Sequence, residues 1–393
     1  MKNEPAFNHM KGRAFRLADS AYRTDLDQYI DRLVAESSPE YTAWNVEQHR
    51  GTAPVKWNYV DGCMMTALLN MARITGEKRY FDFAESFIDA FVEEDGSIRT
   101  FKADAHMLDD INEGRVLFEL YDATGKEKYR RGADFLRKAL DSQPRTEEGS
   151  WWHKEIYPDQ VWLDGIYMAQ PFAALYEKHF GTGDYSDILK QVSIVRERMR
   201  DPKTGLYYHG YDASRKAFWA DPETGLSQSF WLRAIGWFCA ALADLCEIIP
   251  EGETGLLRET LSDLARDLIP FADPKTGMYY QVVDRADLEG NYLETSGSSM
   301  VAYAMLKGAR LGILPPETGE QGKKTFEGIV RTNLSFSDGQ LNLNNICLVA
   351  GLGPENNRRR DGTPAYYLSE PIVRNEAKGI APLLMCYTEM RRR

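Results

Sequence analysis

Cysteine is scarce in this chain. The five, Cys63, Cys239, Cys246, Cys347 and Cys386, lie far apart and form no Cys-x-x-Cys pair. That excludes the common zinc and dithiol redox layouts and leaves small buried hydrophobes in a reducing compartment. A basic excess is missing too. The formal net charge is -11, whereas a nucleic-acid binder needs a dense basic surface to meet the phosphates. The only basic runs, Arg358-Arg359-Arg360 and Arg391-Arg392-Arg393, read as solvated charge in a loop and a tail. No run is apolar enough to cross a bilayer: the longest, Trp237 to Ile249, contains Asp244 and Glu247 and falls short of the ~20 residues a span requires. The opening Met1-Lys2-Asn3-Glu4-Pro5 leads into a polar segment without a signal-peptide core. A cytoplasmic location is expected, with neither nucleic acid nor membrane as partner.

Several chemical motifs are absent as well. There is no P-loop, dinucleotide fingerprint, His-Glu-x-x-His or Gly-x-Ser-x-Gly elbow, which removes the usual layouts for phosphoryl transfer, hydride transfer, zinc proteolysis and ester hydrolysis. The six histidines include none paired at ligand spacing, so no metal and no cofactor are expected.

What the chain does contain is helical pattern. Hydrophobic residues make up 43% and aromatics 12%, ample for a large core, and most recur at helical spacing. Tyr80, Ala84, Phe87, Ile88 and Phe91 form one stripe within 79–93; Val116, Leu117, Leu120 and Tyr121 form a second, and Phe135, Leu136 and Leu140 a third. Further helices are predicted near 163–179, 185–199, 230–249, 255–271, 297–311 and 376–391, with weaker signals near 22–35, 62–75 and 321–332. The total is about twelve. Segments 62–75 and 230–249 are apolar nearly all round, whereas 79–93 and 185–199 are one-sided, which implies an inner and an outer set.

Short echoes recur. Thr75-Gly76-Glu77-Lys78-Arg79-Tyr80 returns as Thr124-Gly125-Lys126-Glu127-Lys128-Tyr129, and Asp201-Pro202-Lys203-Thr204-Gly205 as Asp273-Pro274-Lys275-Thr276-Gly277. Self-similarity marks stacked helical hairpins, and the unequal spacing of 49 and 72 residues favours a closed toroid over an open solenoid. The expectation is one all-α domain over 1–393, with residues 1–50 as an N-terminal segment of no definite pattern.

The interrupting segments 150–164, 205–221 and 278–298 are rich in Trp, Tyr, His and Asp and read as the rim of a pocket. Carboxylates among aromatics suit carbohydrate chemistry, because sugar rings stack on Trp and Tyr while Asp or Glu handles the proton. In the densest stretch, Trp151 to Met168, Asp164 precedes a helix. It is either an N-cap or a carboxyl desolvated by Trp162 and Met168, which favours the proton-carrying form a general acid needs. Asp109-Asp110 also precede a helix and again suit caps. His209, among Tyr207, Tyr208 and Tyr211, suits a pocket wall or a structural role. Arg233 opens the most apolar helix, so a buried carboxylate or an anionic ligand must meet its charge. Gly290 to Ser298 begin a helix in which Thr and Ser serve as caps.

With these residues the sequence resembles the unsaturated rhamnogalacturonyl hydrolases of glycoside hydrolase family 105, relatives of the unsaturated glucuronyl hydrolases of family 88. The likeness runs from about Trp57 to Glu389. It rests on Trp57-Asn58-Tyr59, Leu108-Asp109-Asp110-Ile111-Asn112, Trp152-His153-Lys154, Gln160-Val161-Trp162-Leu163-Asp164-Gly165, Tyr208-His209, Trp231 to Trp237, Tyr292 to Gly297 and Tyr366 to Pro371. It implies an (α/α)6 barrel and hydration of the C4=C5 double bond on a terminal uronic acid, with a small unsaturated oligosaccharide as substrate. By the resemblance Asp164 matches the general acid and base and Asp109 the second essential carboxylate, the doublet being resolved toward Asp109 over Asp110. Tyr59, His153, Trp162, Met168, His209, Trp231, Arg233 and Trp237 match the pocket lining, with Arg233 and a histidine as candidates to hold the C5 carboxylate. Two rivals stay open: a sugar epimerase on the same toroid, which would favour paired histidines, and a non-catalytic glycan-binding protein.

Overall fold

Long helices alternate between buried and one-sided sequence along the chain, and the computed structural model, which describes residues 21–392, turns that alternation into two concentric layers. The first part of the expected N-terminal segment, and Arg393 of the basic tail, lie outside the described residues. Among those described there are fourteen α-helices. They are α1 (Ala21–Ala35), α2 (Val46–His49), α3 (Tyr59–Thr75), α4 (Lys78–Asp89), α5 (Val116–Thr124), α6 (Glu127–Asp141), α7 (Leu163–His179), α8 (Ser186–Met199), α9 (Leu232–Ile248), α10 (Gly255–Leu268), α11 (Thr295–Arg310), α12 (Pro316–Asn333), α13 (Pro364–Ser369) and α14 (Ala377–Arg391). Only α2 and α13 are short.

The inner layer is α3, α5 with the 3-10 turn Leu108–Arg115 before it, α7, α9, α11 and α14, each packed on the next, with α14 returning to α3. The remaining long helices lie outside: α4 on α3, α6 on α5, α8 on α7, α10 on α9 and α12 on α11. α1 covers the last gap, tied to α14 by Tyr387 Oη donating to Asp27 at 2.9 Å and by Arg391 at 3.1 Å from the same carboxylate. This is the (α/α)6 barrel the sequence led us to expect. Its apolar interior forms one large cluster of buried side chains.

Local chemistry explains the element ends. Asn58 caps α3 by accepting from the N–H groups of Val60 and Asp61, and Glu294 caps α11 through Ser296 and Gly297, each satisfying otherwise orphaned donors. The ring helices α9 and α11 approach where Gly297 leaves room: a Cβ there would sit 2.5 Å from Leu232 Cγ. The Asp-Pro-Lys-Thr-Gly echoes are one turn used twice. Asp201 accepts from the Thr204 N–H and hydroxyl, both at 2.8 Å, and Asp273 does the same for Thr276. The helix expected over 79–93 stops at Asp89, because Val92 pairs with Ile98 across a turn at Gly96, whose φ is 86°. Among the described residues three two-stranded sheets, not foreseen from the sequence, decorate the ring: β1 (Gln160–Trp162) with β2 (Gly210–Asp212), β3 (Leu334–Ser337) with β4 (Gln340–Leu343), and β5 (Ile346–Cys347) with β6 (Ile372–Val373).

The two mouths of the ring differ. At the C-terminal ends of the inner helices, beside a cavity of about 360 Å³, Asp244 is buried against Arg115 at 2.6 Å, Lys307 at 2.8 Å and the Tyr303 hydroxyl at 2.6 Å. Burial alone would raise its pKa, but the two cations outweigh it and hold the carboxyl down at about 2. Lys307, in the last turn of α11, also complements that helix's dipole, so the cluster reads as a structural lock. The other mouth carries the aromatic loops. Among the described residues, no helix is long and apolar enough to cross a membrane.

Candidate active site

Backbone hydrogen bonds lace three separate segments together at the N-terminal mouth. Leu108 N–H donates to the His153 carbonyl, His153 N–H to Gln160, and Leu163 N–H to His209. The β1–β2 ladder continues the lacing, with Trp162 opposite Gly210. Side chains from positions 109, 153, 164 and 209 are thereby fixed relative to one another on rigid elements. Gly165 permits the close fit, because a Cβ on it would lie 3.1 Å from Leu108 Cδ1 and 3.2 Å from His153 Nδ1.

The result is a cavity of about 270 Å³. Of the residues singled out from sequence, Tyr59, Asp109, His153, Trp162, Asp164 and Met168 line it. Asp164 Oδ2 lies 3.1 Å from His209 Nε2, yet neither atom makes a well-angled hydrogen bond to another protein group among the described residues. His209 is wholly buried and held through Nδ1 by the Tyr367 hydroxyl at 2.7 Å. The N-cap position of α7 belongs to Trp162, and Asp164 accepts none of the helix's free N–H groups. The capping alternative therefore falls away. The same holds for Asp109 and Asp110, in the first turn of the 3-10 segment behind Met107.

The doublet splits electrostatically. Burial would raise both carboxyls, but Lys154 Nζ at 2.6 Å and His153 hold Asp109 below the usual range. For Asp110 burial, with the charge of Asp109, outweighs Lys56 at 3.6 Å and Lys154, and pushes the carboxyl up to about 6. His153 goes the other way: burial drives it down to about 4 despite the nearby Asp109 carboxylate. Its ring stacks on Trp162 at 4.3 Å, and Trp162 stacks on Tyr157 at 4.8 Å, forming an aromatic wall beside the carboxylates.

Four expected lining residues sit behind the wall, the buried His209 and three others. Trp231 stacks on Tyr367 at 5.6 Å and contacts His209 at 4.7 Å. Trp237 stacks on Tyr167 at 4.5 Å and meets Tyr59 edge-on at 6.4 Å. Arg233, 1% exposed, donates through Nη1 to the Cys347 carbonyl at 2.7 Å and lies over Trp231. Its charge is met by a carbonyl, with the buried Glu294 carboxylate close by, and it does not line the cavity. Sequence reasoning passed over Lys56, Lys154, Tyr157 and Arg360, all of which do. Lys154 and Tyr157 stood within quoted motifs; Arg360 stood in a run read as solvated, a reading the structure corrects.

A closed helical ring with carboxylates and stacked aromatics at one mouth defines a carbohydrate-active enzyme. Residues 19–393 match Glycosyl Hydrolase Family 88, and the chain belongs to that family, as a glycoside hydrolase of the family 88/105 type. It is 41% identical over 229 residues to Protein Atu3128 of Agrobacterium fabrum, spanning 56% of this chain and 97% of that protein. It is 26% identical over 268 residues to the unsaturated rhamnogalacturonyl hydrolase YesR of Bacillus subtilis, spanning 65% of this chain and 72% of that one. A solved family 105 glycoside hydrolase of C. acetobutylicum ATCC 824 matches with a TM-score of 0.83 at 41% identity, over 91% of this chain and 98% of that one. Membership in a hydrolase family sets the epimerase alternative aside.

Proposed function

We propose that the protein, as one catalytic unit, removes the terminal 4,5-unsaturated galacturonic acid from rhamnogalacturonan-derived oligosaccharides. The observation that carries the reading is Asp164 Oδ2, buried, facing His209 and without a hydrogen bond, in a cavity that also holds the ionised Asp109. Likeness to a protein named for this activity supports it. In the proposed reaction the Asp164 carboxyl delivers its proton to C4, and the developing positive charge is shared by C5 and the ring oxygen. Asp109, kept negative by Lys154, stabilises that charge. Water adds at C5 and gives its proton to the carboxylate, leaving a hemiketal that opens and releases the shortened chain. Trp162 and Tyr157 wall the cavity beside the sugar.

Asp164→Asn keeps shape and polarity while removing the transferable proton. The kcat for an unsaturated rhamnogalacturonan disaccharide, followed by the ultraviolet absorbance of its double bond, should fall by about 10²–10⁴ with little change in substrate binding. A folded variant with near-normal turnover would refute the assignment.

A further inference from the structure

Three cations line the catalytic cavity, and two are already matched. Lys154 lies 2.6 Å from Asp109 and Lys56 3.6 Å from Asp110. Arg360 has no such partner. Among the described residues its side chain makes no ion pair or hydrogen bond, and its Nε is buried with nothing to accept from it. Its neighbours in the run are engaged elsewhere, Arg358 with Glu355 and Arg359 with Glu370. A guanidinium held at a cavity without an anion is set up to receive one, and its planar fork fits a carboxylate.

Position says which carboxylate. His209 is wholly buried and Asp164 only 9% exposed, so the reacting ring must sit deepest, whereas Arg360 is partly exposed at the rim. Gly351 joins the two levels: a Cβ there would lie 3.3 Å from both Arg360 Nη1 and the Trp162 ring. The guanidinium thus stands where the chain leaves the cavity. We infer that Arg360 is a specificity-determining residue that binds a uronate carboxylate on the leaving portion of the substrate, beyond the sugar next to the cleaved bond. This rests on the substrate proposed above, in which uronate and rhamnose alternate, so that the second sugar of the leaving portion carries the next negative charge.

The test compares an unsaturated disaccharide, whose leaving rhamnose is neutral, with the unsaturated tetrasaccharide. Wild type should favour the tetrasaccharide in kcat/KM. Arg360→Met should lower its kcat/KM about tenfold, the scale of one charge-assisted hydrogen bond, and change the disaccharide less than about twofold, while Arg360→Lys restores part of the preference. Equal losses on both substrates, or none on either, would overturn the inference. Calorimetric binding of a saturated galacturonate–rhamnose tetrasaccharide, free or methyl-esterified, reads Arg360 without turnover: Arg360→Met should weaken only the free acid, and equal weakening of both forms overturns the inference. A wild type that binds the free acid but hydrolyses no unsaturated substrate would sink the hydrolase reading and leave this binding comparison decisive for Arg360.

Discussion

Asp61 shows how a single side chain can carry a pH dependence that its sequence context conceals. An acidic residue in the first turn of α3 looks like ordinary helix-end chemistry. In the fold it is buried, accepting from Trp44 Nε1 at 2.8 Å and Asn58 Nδ2 at 2.7 Å, and burial pushes its carboxyl up to about 6. A raised folded pKa means that the group's stabilising contribution is complete below its ordinary value of 3.8 and is lost as pH rises through about 6. Asparagine at this site does not titrate. The unfolding free energy of Asp61→Asn relative to wild type should therefore rise by roughly 2 kcal/mol between about pH 4 and about pH 7, as read from urea titrations at each pH. A difference that stays flat would mean the folded carboxyl is ionised throughout. Residues tied to motifs, such as Asp109, Asp164 and His153, were legible because their chemistry clusters along the chain. Arg360 was not, since three adjacent arginines look alike until a loop of no periodicity turns one of them inward.

At the scale of elements, helices with strong periodicity were readable almost to the residue: 163–179 is the extent of α7. Where glycines thin the pattern, as at Gly319 and Gly322, the expected 321–332 became α12, starting at Pro316. Strands β1 and β2 are three residues each and owe their existence to pairing across nearly fifty intervening positions, so nothing local announces them. The β3–β4 hairpin did carry a signal, the Asp338-Gly339 pair, both at positive φ. The α9–α11 contact offers a direct test of packing. Gly297→Ala would force a methyl to within 2.9 Å of the Leu232 backbone, and the relaxation should cost about 1–3 kcal/mol, seen as a lower urea midpoint at unchanged slope. Wild-type stability for that variant would show that the two helices separate freely.

Over the whole molecule, the two mouths divide labour. One mouth holds the cavity among loops; at the other, beside the cavity of about 360 Å³, Arg115, Asp244 and Lys307 lock the inner helices together. Removing the shared anion leaves the buried Arg115 without a counter-charge and Lys307 with Glu247 alone, so Asp244→Ala should lower stability by about 3–5 kcal/mol while KM, measured below the unfolding range, stays at the wild-type value. A changed KM would show that the far mouth is coupled to the catalytic one. Closure of the ring was signalled in the sequence by the unequal spacing of the echoes; which helices close it, α14 on α3, beginning at Ala377 and Tyr59, was not. That junction also brings Lys378, fully enclosed, to within 3.0 Å of Glu47 at the edge of the cavity. A ribosome delivers α14 last of the six ring helices, after Asp109 and Asp164 have already emerged. Until then α3 stands with one flank bare, and long-range contacts of this kind form late. A chain that stops short of α14 thus carries the carboxylates of the mouth without the closed ring that holds them in place.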